Sequence, residues 1–251
     1  MIAIKNEREL EVMRRACKIT AAARALAGEM VRPGVTTKAI DKAVHDFIVA
    51  QGAKPSFLHY SGYPASACIS VNDVVIHGIP DGYKLKEGDI VSVDVGACWK
   101  GFHGDCAATF ACGRISPTAQ KLIDVTKESF FEGLKFARQG YRISDISHAV
   151  QSHVEKNGFS VVRAFVGHGV GENLHEEPEV PNFGSPGRGP RLVKGMTLAI
   201  EPMVNVGGWE VRVLKDRWTT VTVDGSLAAH YENTVLITDG EPEILTVAEG
   251  L

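Results

Sequence analysis

Apolar residues recur at helical spacing in four segments of the chain. The first segment follows Asn6 and Glu9, whose separation is that of a capping box, and its pattern stops at Pro33-Gly34. In all four segments the apolar positions fall three or four residues apart, which predicts one buried face on each helix. The four predicted helices span about residues 6–32, 36–52, 116–139 and 144–158.

Short segments between and after these helices predict β-strands. In segment 91–95 valines alternate with Ser92 and Asp94, so the carboxylate of Asp94 points away from the valines. Asp105 begins a second acidic strand. Near the C-terminus, Thr and Val alternate over 219–223, a turn follows at Asp224-Gly225, and the chain returns through 226–237, which is typical of a β-hairpin.

The second half of the chain repeats the pattern of the first. A shift of 106 positions carries the apolar face of the second helix onto that of the fourth. A shift of 107 carries Gly88 and Asp94 onto Gly195 and Glu201, and this shared glycine-to-carboxylate spacing argues against chance similarity of helical patterns. The repeat predicts one domain, residues 1–251, whose halves (about 1–113 and 114–251) face each other across a shared sheet.

Composition excludes several classes of protein. With 251 residues, 44% of them hydrophobic, and a formal net charge of −3, the chain is long enough for a large core and lacks the basic charge of a nucleic-acid-binding protein. No signal peptide precedes the first charged segment, and no apolar run reaches the roughly 18 residues of a membrane span. The five cysteines form no Cys-x-x-Cys pair, which indicates a reduced, cytoplasmic protein.

Four carboxylates borne on strands are the candidate chemistry. Asp94 and Asp105 belong to the first half, and Glu201 and Glu232 belong to the second. One acidic residue at a strand end often faces water, but four that cluster repel one another and need compensating charge, which two divalent cations would supply. His168 lies between two glycines and is the candidate imidazole ligand, so the donor set suits Mn, Fe, Co or Zn.

Several short motifs resemble those of the type I methionine aminopeptidases, which share the pita-bread fold with prolidase and Xaa-Pro aminopeptidase. The resemblance covers almost the whole chain and implies an α+β fold with a curved antiparallel sheet. The motifs are Tyr60-Ser-Gly-Tyr-Pro64, Cys68-Ile-Ser-Val-Asn72, His77-Gly-Ile-Pro-Asp81, Asp94-Val-Gly96, Gly104-Asp105, Gly167-His168-Gly169, His175-Glu-Glu-Pro178, Ile200-Glu201-Pro-Met203 and Tyr231-Glu232-Asn-Thr234.

The resemblance implies hydrolysis of the first peptide bond of a nascent protein or peptide that begins with Met and has a small second residue. Two divalent ions (Co, Mn, Fe or Zn) would share a hydroxide, with Asp105 and Glu232 as bridging ligands. His175 is the predicted oxyanion donor, and His77 would contact the nitrogen of the scissile bond. Glu201 is the predicted proton shuttle as well as a ligand.

An apolar pocket for the methionine side chain is implied as well. Its predicted walls are Tyr60, Tyr63, Cys68 and Trp218, and Leu174 stands where many relatives have an aromatic residue. The remaining histidines, including His103 and His230 near the ligand strands, are interpreted mainly as surface or packing residues.

Two other functions remain open on the sequence alone. An Xaa-Pro aminopeptidase or prolidase would use the same five ligands, and an inactive pita-bread module would bind peptides without cleaving them. The leading interpretation is a monomeric, cytoplasmic enzyme that meets nascent N-termini through transient association with the ribosome. It predicts neither sequence-specific nucleic-acid binding nor membrane attachment.

Overall fold

Two pairs of helices pack on the strands in the computed structural model, which describes residues 1–248. Residues 249–251 of the predicted domain lie outside this described part. The structure confirms a helix in each of the four predicted segments: α1 (Glu7–Met30), α2 (Thr37–Ala50), α3 (Pro117–Leu134) and α4 (Ile143–Lys156). No helix within residues 1–248 is both long and apolar enough to cross a membrane.

The helix ends show where local sequence signals act. Asn6 forms the predicted capping box with Glu9. Helix α3 ends before residue 139, because the chain tightens into a turn in which the Phe136 N–H bonds to the carbonyl of Gly133. Helix α4 starts before the predicted position, since Asp145 is its third residue and accepts a hydrogen bond from the Arg142 N–H at 2.8 Å.

The strands are short except for the two that carry the first acidic pair, and every pairing between them is antiparallel. They are β1 (Lys54–Pro55), β2 (Ala67–Val71), β3 (Val74–Ile76), β4 (Ile90–Trp99), β5 (Phe102–Ala111), β6 (Ser160–Val161), β7 (Gly167–Gly169), β8 (Glu176–Val180), β9 (Thr197–Ile200), β10 (Met203–Asn205), β11 (Val211–Val213), β12 (Thr220–Thr222), β13 (Ala228–His230), β14 (Asn233–Leu236) and β15 (Glu243–Ile244).

The predicted C-terminal hairpin is wrong. The turn at Asp224-Gly225 does form, and Asp224 accepts a hydrogen bond from the Ser226 N–H at 2.9 Å. However, β12 pairs with β3 and β11, whereas β13 pairs with β10 and β14 pairs with β9 and β15. Both edges of β12 are therefore already occupied, and the returning chain enters other sheets.

Two larger sheets meet at the centre of the molecule. One contains β1, β2, β4 and β5, and the other has the order β15-β14-β9-β7-β8. Ala107 on β5 and Glu232, just before β14, exchange both backbone hydrogen bonds, at 3.2 and 2.9 Å. Helices α1 and α2 cover the first sheet with one apolar cluster, and α3 and α4 cover the second with another. The α+β class with antiparallel sheets is thus confirmed.

Candidate metal centre

Asp94 and Asp105 lie on one face of the first sheet. In the β4–β5 pairing Asp94 is opposite Ala107, and Asp105 is opposite Gly96. Directly paired residues share a face, as do residues two apart on a strand, so the two carboxylates are diagonal neighbours. Gly96 has no side chain, and a Cβ there would lie 2.7 Å from the Phe57 ring, so glycine lets Phe57 pack beside the acidic pair.

The second half brings three more groups to the same place. His168 is the middle residue of β7 and pairs with Ala199 on β9, while Glu201 immediately follows β9. Glu232 immediately precedes β14, which is the other neighbour of β9. The backbone of Glu232 is hydrogen-bonded to that of Ala107, and Ala107 is two positions from Asp105 on β5. The carboxylates of the two halves therefore converge where the sheets join.

The polar atoms are close enough to share a cation. Ligand atoms of Asp105, His168 and Glu232 all lie within 4.8 Å of one another. His168 Nε2 is 3.7 Å from Asp105 Oδ2 and 3.5 Å from Glu201 Oε1. His168 Nδ1 lies 2.8 Å from the Gly169 carbonyl, to which it donates, so the Nε2 lone pair faces the carboxylates.

Burial leaves several carboxylate oxygens of the site without hydrogen-bond partners. One oxygen each of Asp94, Asp105 and Glu232 is buried without a hydrogen-bond partner. Burial raises the pKa of Asp94 to about 7, and burial together with the charges of Asp94 and Glu201 raises the pKa of Asp105 well above its usual range. Burial lowers the pKa of His168 to about 3, so its imidazole is neutral. Carboxylate oxygens without hydrogen-bond partners, together with one neutral imidazole, form a set of metal ligands that suits divalent cations.

An apolar wall stands beside these ligands. Tyr63, Cys68 and Leu174 are buried in one cluster, against which Trp218 packs. The Tyr63 and Trp218 rings meet edge to face, with centroids 5.1 Å apart. The Tyr63 ring is held in place, because its hydroxyl donates a hydrogen bond to the Gly78 carbonyl at 2.9 Å. Tyr60 differs from the other predicted walls, since it is 39% exposed and lies at the mouth of the cavity.

His77 and His175 carry imidazoles into the space between the wall and the carboxylates. His77 has a left-handed backbone (φ 58°), and its ring meets the Phe165 ring edge to face at 5.7 Å. His175 lies 4.1 Å from the His168 ring, centroid to centroid, and its Nδ1 is 2.8 Å from the Tyr60 hydroxyl. Burial lowers the pKa of His77 to about 4 and also lowers that of His175. Both rings are therefore neutral at neutral pH and can each donate one hydrogen bond.

All of the residues predicted for the site line one cavity of about 160 Å³. Sequence reasoning missed four other lining residues. They are Phe57, Ile76, Phe165 and Val166. Nothing in their spacing marks them, because their positions depend on how distant strands pack.

His230, interpreted from the sequence mainly as a surface or packing residue near a ligand strand, is buried beside Glu201 and Glu232. Its position two residues before Glu232 was an available signal, since that spacing places strand side chains on one face.

Comparison with known proteins places the chain in a family. Residues 11–239 match metallopeptidase family M24. The methionine aminopeptidase of Clostridium perfringens is 58% identical over 98% of this chain and 99% of its own. The crystal structure of methionine aminopeptidase from Thermotoga maritima superposes with a TM-score of 0.96 and 47% identity, over 98% of this chain and 99% of the other.

The prolidase from Pyrococcus furiosus has a TM-score of 0.80 at 22% identity, over 98% of this chain and 66% of its own, so it shares the fold alone. The chain therefore belongs to metallopeptidase family M24, within its methionine aminopeptidases.

Proposed function

We propose that the chain removes N-terminal methionine from nascent proteins and peptides whose second residue is small. The observation that supports this most strongly is the cavity itself, in which buried carboxylates and His168 lie next to the apolar wall of Tyr63, Cys68 and Leu174. In such a cavity the reacting, polar end of a peptide would lie near the charged groups, and its unbranched methionine side chain would lie against the apolar surface.

Five residues would hold two divalent ions, drawn from Co, Mn, Fe or Zn. When bound, such ions supply a Lewis acid for a carbonyl oxygen and lower the pKa of a water molecule. Asp105 and Glu232 are the proposed shared ligands, which agrees with their burial and with the closeness of their oxygens to His168. Asp94 and Glu201 complete the set, one from each half of the chain.

The neutral histidines would act on the scissile bond. His175 has an Nε2 left for substrate, because its Nδ1 is engaged by Tyr60, and it is the proposed donor to the developing oxyanion. His77 is the proposed contact of the scissile nitrogen, held at its angle by Gly78 and the Phe165 ring. Glu201 would carry a proton towards the leaving amine, a role suited to a carboxyl group whose pKa burial raises above its usual range.

The methionine side chain would lie against Tyr63, Cys68, Leu174 and Trp218, with Tyr60 at the entrance. Leu174 is smaller than an aromatic residue, so this pocket should be broader than one with an aromatic wall. In the cell the substrates would be nascent N-termini in the cytoplasm, met by a monomer that associates transiently with ribosomes.

The other functions open to the sequence are not favoured. Xaa-Pro enzymes match this chain at the level of the fold, whereas the methionine aminopeptidase of Clostridium perfringens is 58% identical to it. An inactive binding module would lack metal ligands, but all five ligand types are present.

A paired peptide assay tests the proposal. Protein treated with EDTA and reloaded with Mn²⁺ should release Met from Met-Ala-Ser and leave an Xaa-Pro peptide intact. Asp105→Asn should abolish release, because it removes one negative charge and one ligand oxygen from the centre. Asp46→Asn makes the same chemical change on an exposed helix position and is the control. Cleavage of Xaa-Pro alone, or undiminished activity of Asp105→Asn, would overturn the proposal.

A further inference from the structure

His230 is a buried imidazole that the proposed reaction does not use. It ends β13 and is 2% exposed, and its Nε2 has no hydrogen-bond partner. That nitrogen lies 3.7 Å from Glu201 Oε2 and 4.0 Å from Glu232 Oε2. A buried N–H group without an acceptor is costly, so its position between two ligand carboxylates calls for an explanation.

The backbone of His230 is held by Thr109. The His230 N–H donates to the Thr109 hydroxyl oxygen at 3.0 Å, and the same hydroxyl lies 2.9 Å from the His230 carbonyl. Thr109 belongs to β5, the strand that also carries Asp105. The backbone of His230 is therefore tied to the strand that carries one of the candidate ligands.

Two imidazoles flank the carboxylate of Glu201 in different ways. His168 Nε2 faces Oε1 at 3.5 Å and lines the cavity, whereas His230 Nε2 faces Oε2 and does not line it. The proton of His168 is on Nδ1, so its Nε2 is an acceptor or ligand atom. With divalent cations bound, the two carboxylates that face His230 would be ionised and would only accept hydrogen bonds, which favours the tautomer with the proton on Nε2. His230 is thus a donor behind Glu201.

We infer that His230 is a positioning residue, whose Nε2–H donates to Glu201 Oε2 and sets the direction of that carboxylate towards a bound divalent cation. The present 3.7 Å separation is about 0.8 Å longer than a usual hydrogen bond, a difference that rotation of the carboxylate can close. Carboxylate ligands are commonly held by such partners, and removing a partner weakens metal binding by about 10–100-fold. The inference rests on the proposed metal centre.

Metal titration of stripped protein tests this role. We expect His230→Met to bind Mn²⁺ about 10–100-fold more weakly than the natural chain by isothermal titration calorimetry. His230→Gln should retain most of the affinity, because its amide nitrogen reaches the position of Nε2. His230→Asn is also polar but too short to reach, and it should behave like the Met variant. Melting temperatures of the EDTA-treated variants should stay near that of the natural chain, since Nε2 has no partner to lose.

The outcomes separate this role from its alternatives. An Mn²⁺ affinity of His230→Met equal to that of the natural chain, or to that of His230→Gln, would overturn the inference. Pulsed electron paramagnetic resonance of the Mn²⁺-loaded natural chain should detect one coordinated imidazole, from His168. Two coordinated imidazoles, falling to one in His230→Met, would make His230 a ligand and overturn the positioning role. Failure of the natural chain to bind Mn²⁺ would instead overturn the metal centre and this role with it.

Discussion

The buried ion pair between Lys5 and Glu176 anchors the N-terminal segment next to the candidate site. The two side chains are only 5% and 8% exposed. Glu176 follows His175, and its other carboxylate oxygen accepts from the Asn173 N–H at 3.1 Å. One carboxylate therefore fastens the short segment that carries Leu174 and His175. Replacing Lys5 by Met keeps the aliphatic stem and removes the cation.

The expected cost of Lys5→Met is large, because Glu176 would stay buried with a single hydrogen bond. Breaking a buried pair from one side costs about 3–5 kcal/mol of the free energy of unfolding. For a chain of this size each kcal/mol lowers the melting temperature by about 2–4 °C, so a fall of about 6–20 °C is expected. The matched control is Lys42→Met, whose pair with Asp46 is 74% and 57% exposed and should contribute only about 0.3–0.5 kcal/mol.

Urea unfolding of EDTA-treated protein, followed by far-ultraviolet circular dichroism, measures this difference without a contribution from metal. Adding Glu176→Gln to Lys5→Met should recover much of the loss, because the amide is neutral and its oxygen can still accept from Asn173. The predicted role of this ion pair is refuted if Lys5→Met is no less stable than Lys42→Met. It also fails if the double variant is no more stable than Lys5→Met alone.

Two further substitutions test the walls of the site. A Cβ at Gly78 would lie 2.4 Å from the Ile69 carbonyl oxygen, so Gly78→Ala should displace His77 and lower kcat for Met-Ala-Ser. Gly82→Ala, which meets nothing within 4 Å, should not, and equal kcat values would contradict this account. Leu174→Ala should cost about 2–4 kcal/mol of stability and raise KM. Leu122→Ala, in the helix core, should cost a similar amount with KM unchanged, and matching KM values would remove Leu174 from the pocket.

Much of the local structure could be predicted because its causes are local. Asn6 and Glu9 satisfy the backbone of the first turn of α1 with their own side chains, and Ser116 and Thr36 do the same for α3 and α2. The hairpin prediction failed for the opposite reason. A turn at Asp224-Gly225 is local, but strand pairing depends on which edges are free, and β3 and β11 already occupy both edges of β12.

The candidate ligands could be named from sequence because carboxylates on apolar strands, repeated at a fixed spacing, need charge compensation wherever the strands lie. Local patterns in the chain were enough to predict the four helices, the repeat, the types of candidate ligand and the resemblance to a family. Three features depend on packing between distant elements: Phe57 and Phe165 line the cavity, Lys5 pairs with Glu176, and His230 faces Glu201. These contacts join residues far apart in the chain, and their distances depend on how the sheets pack rather than on spacing along the sequence.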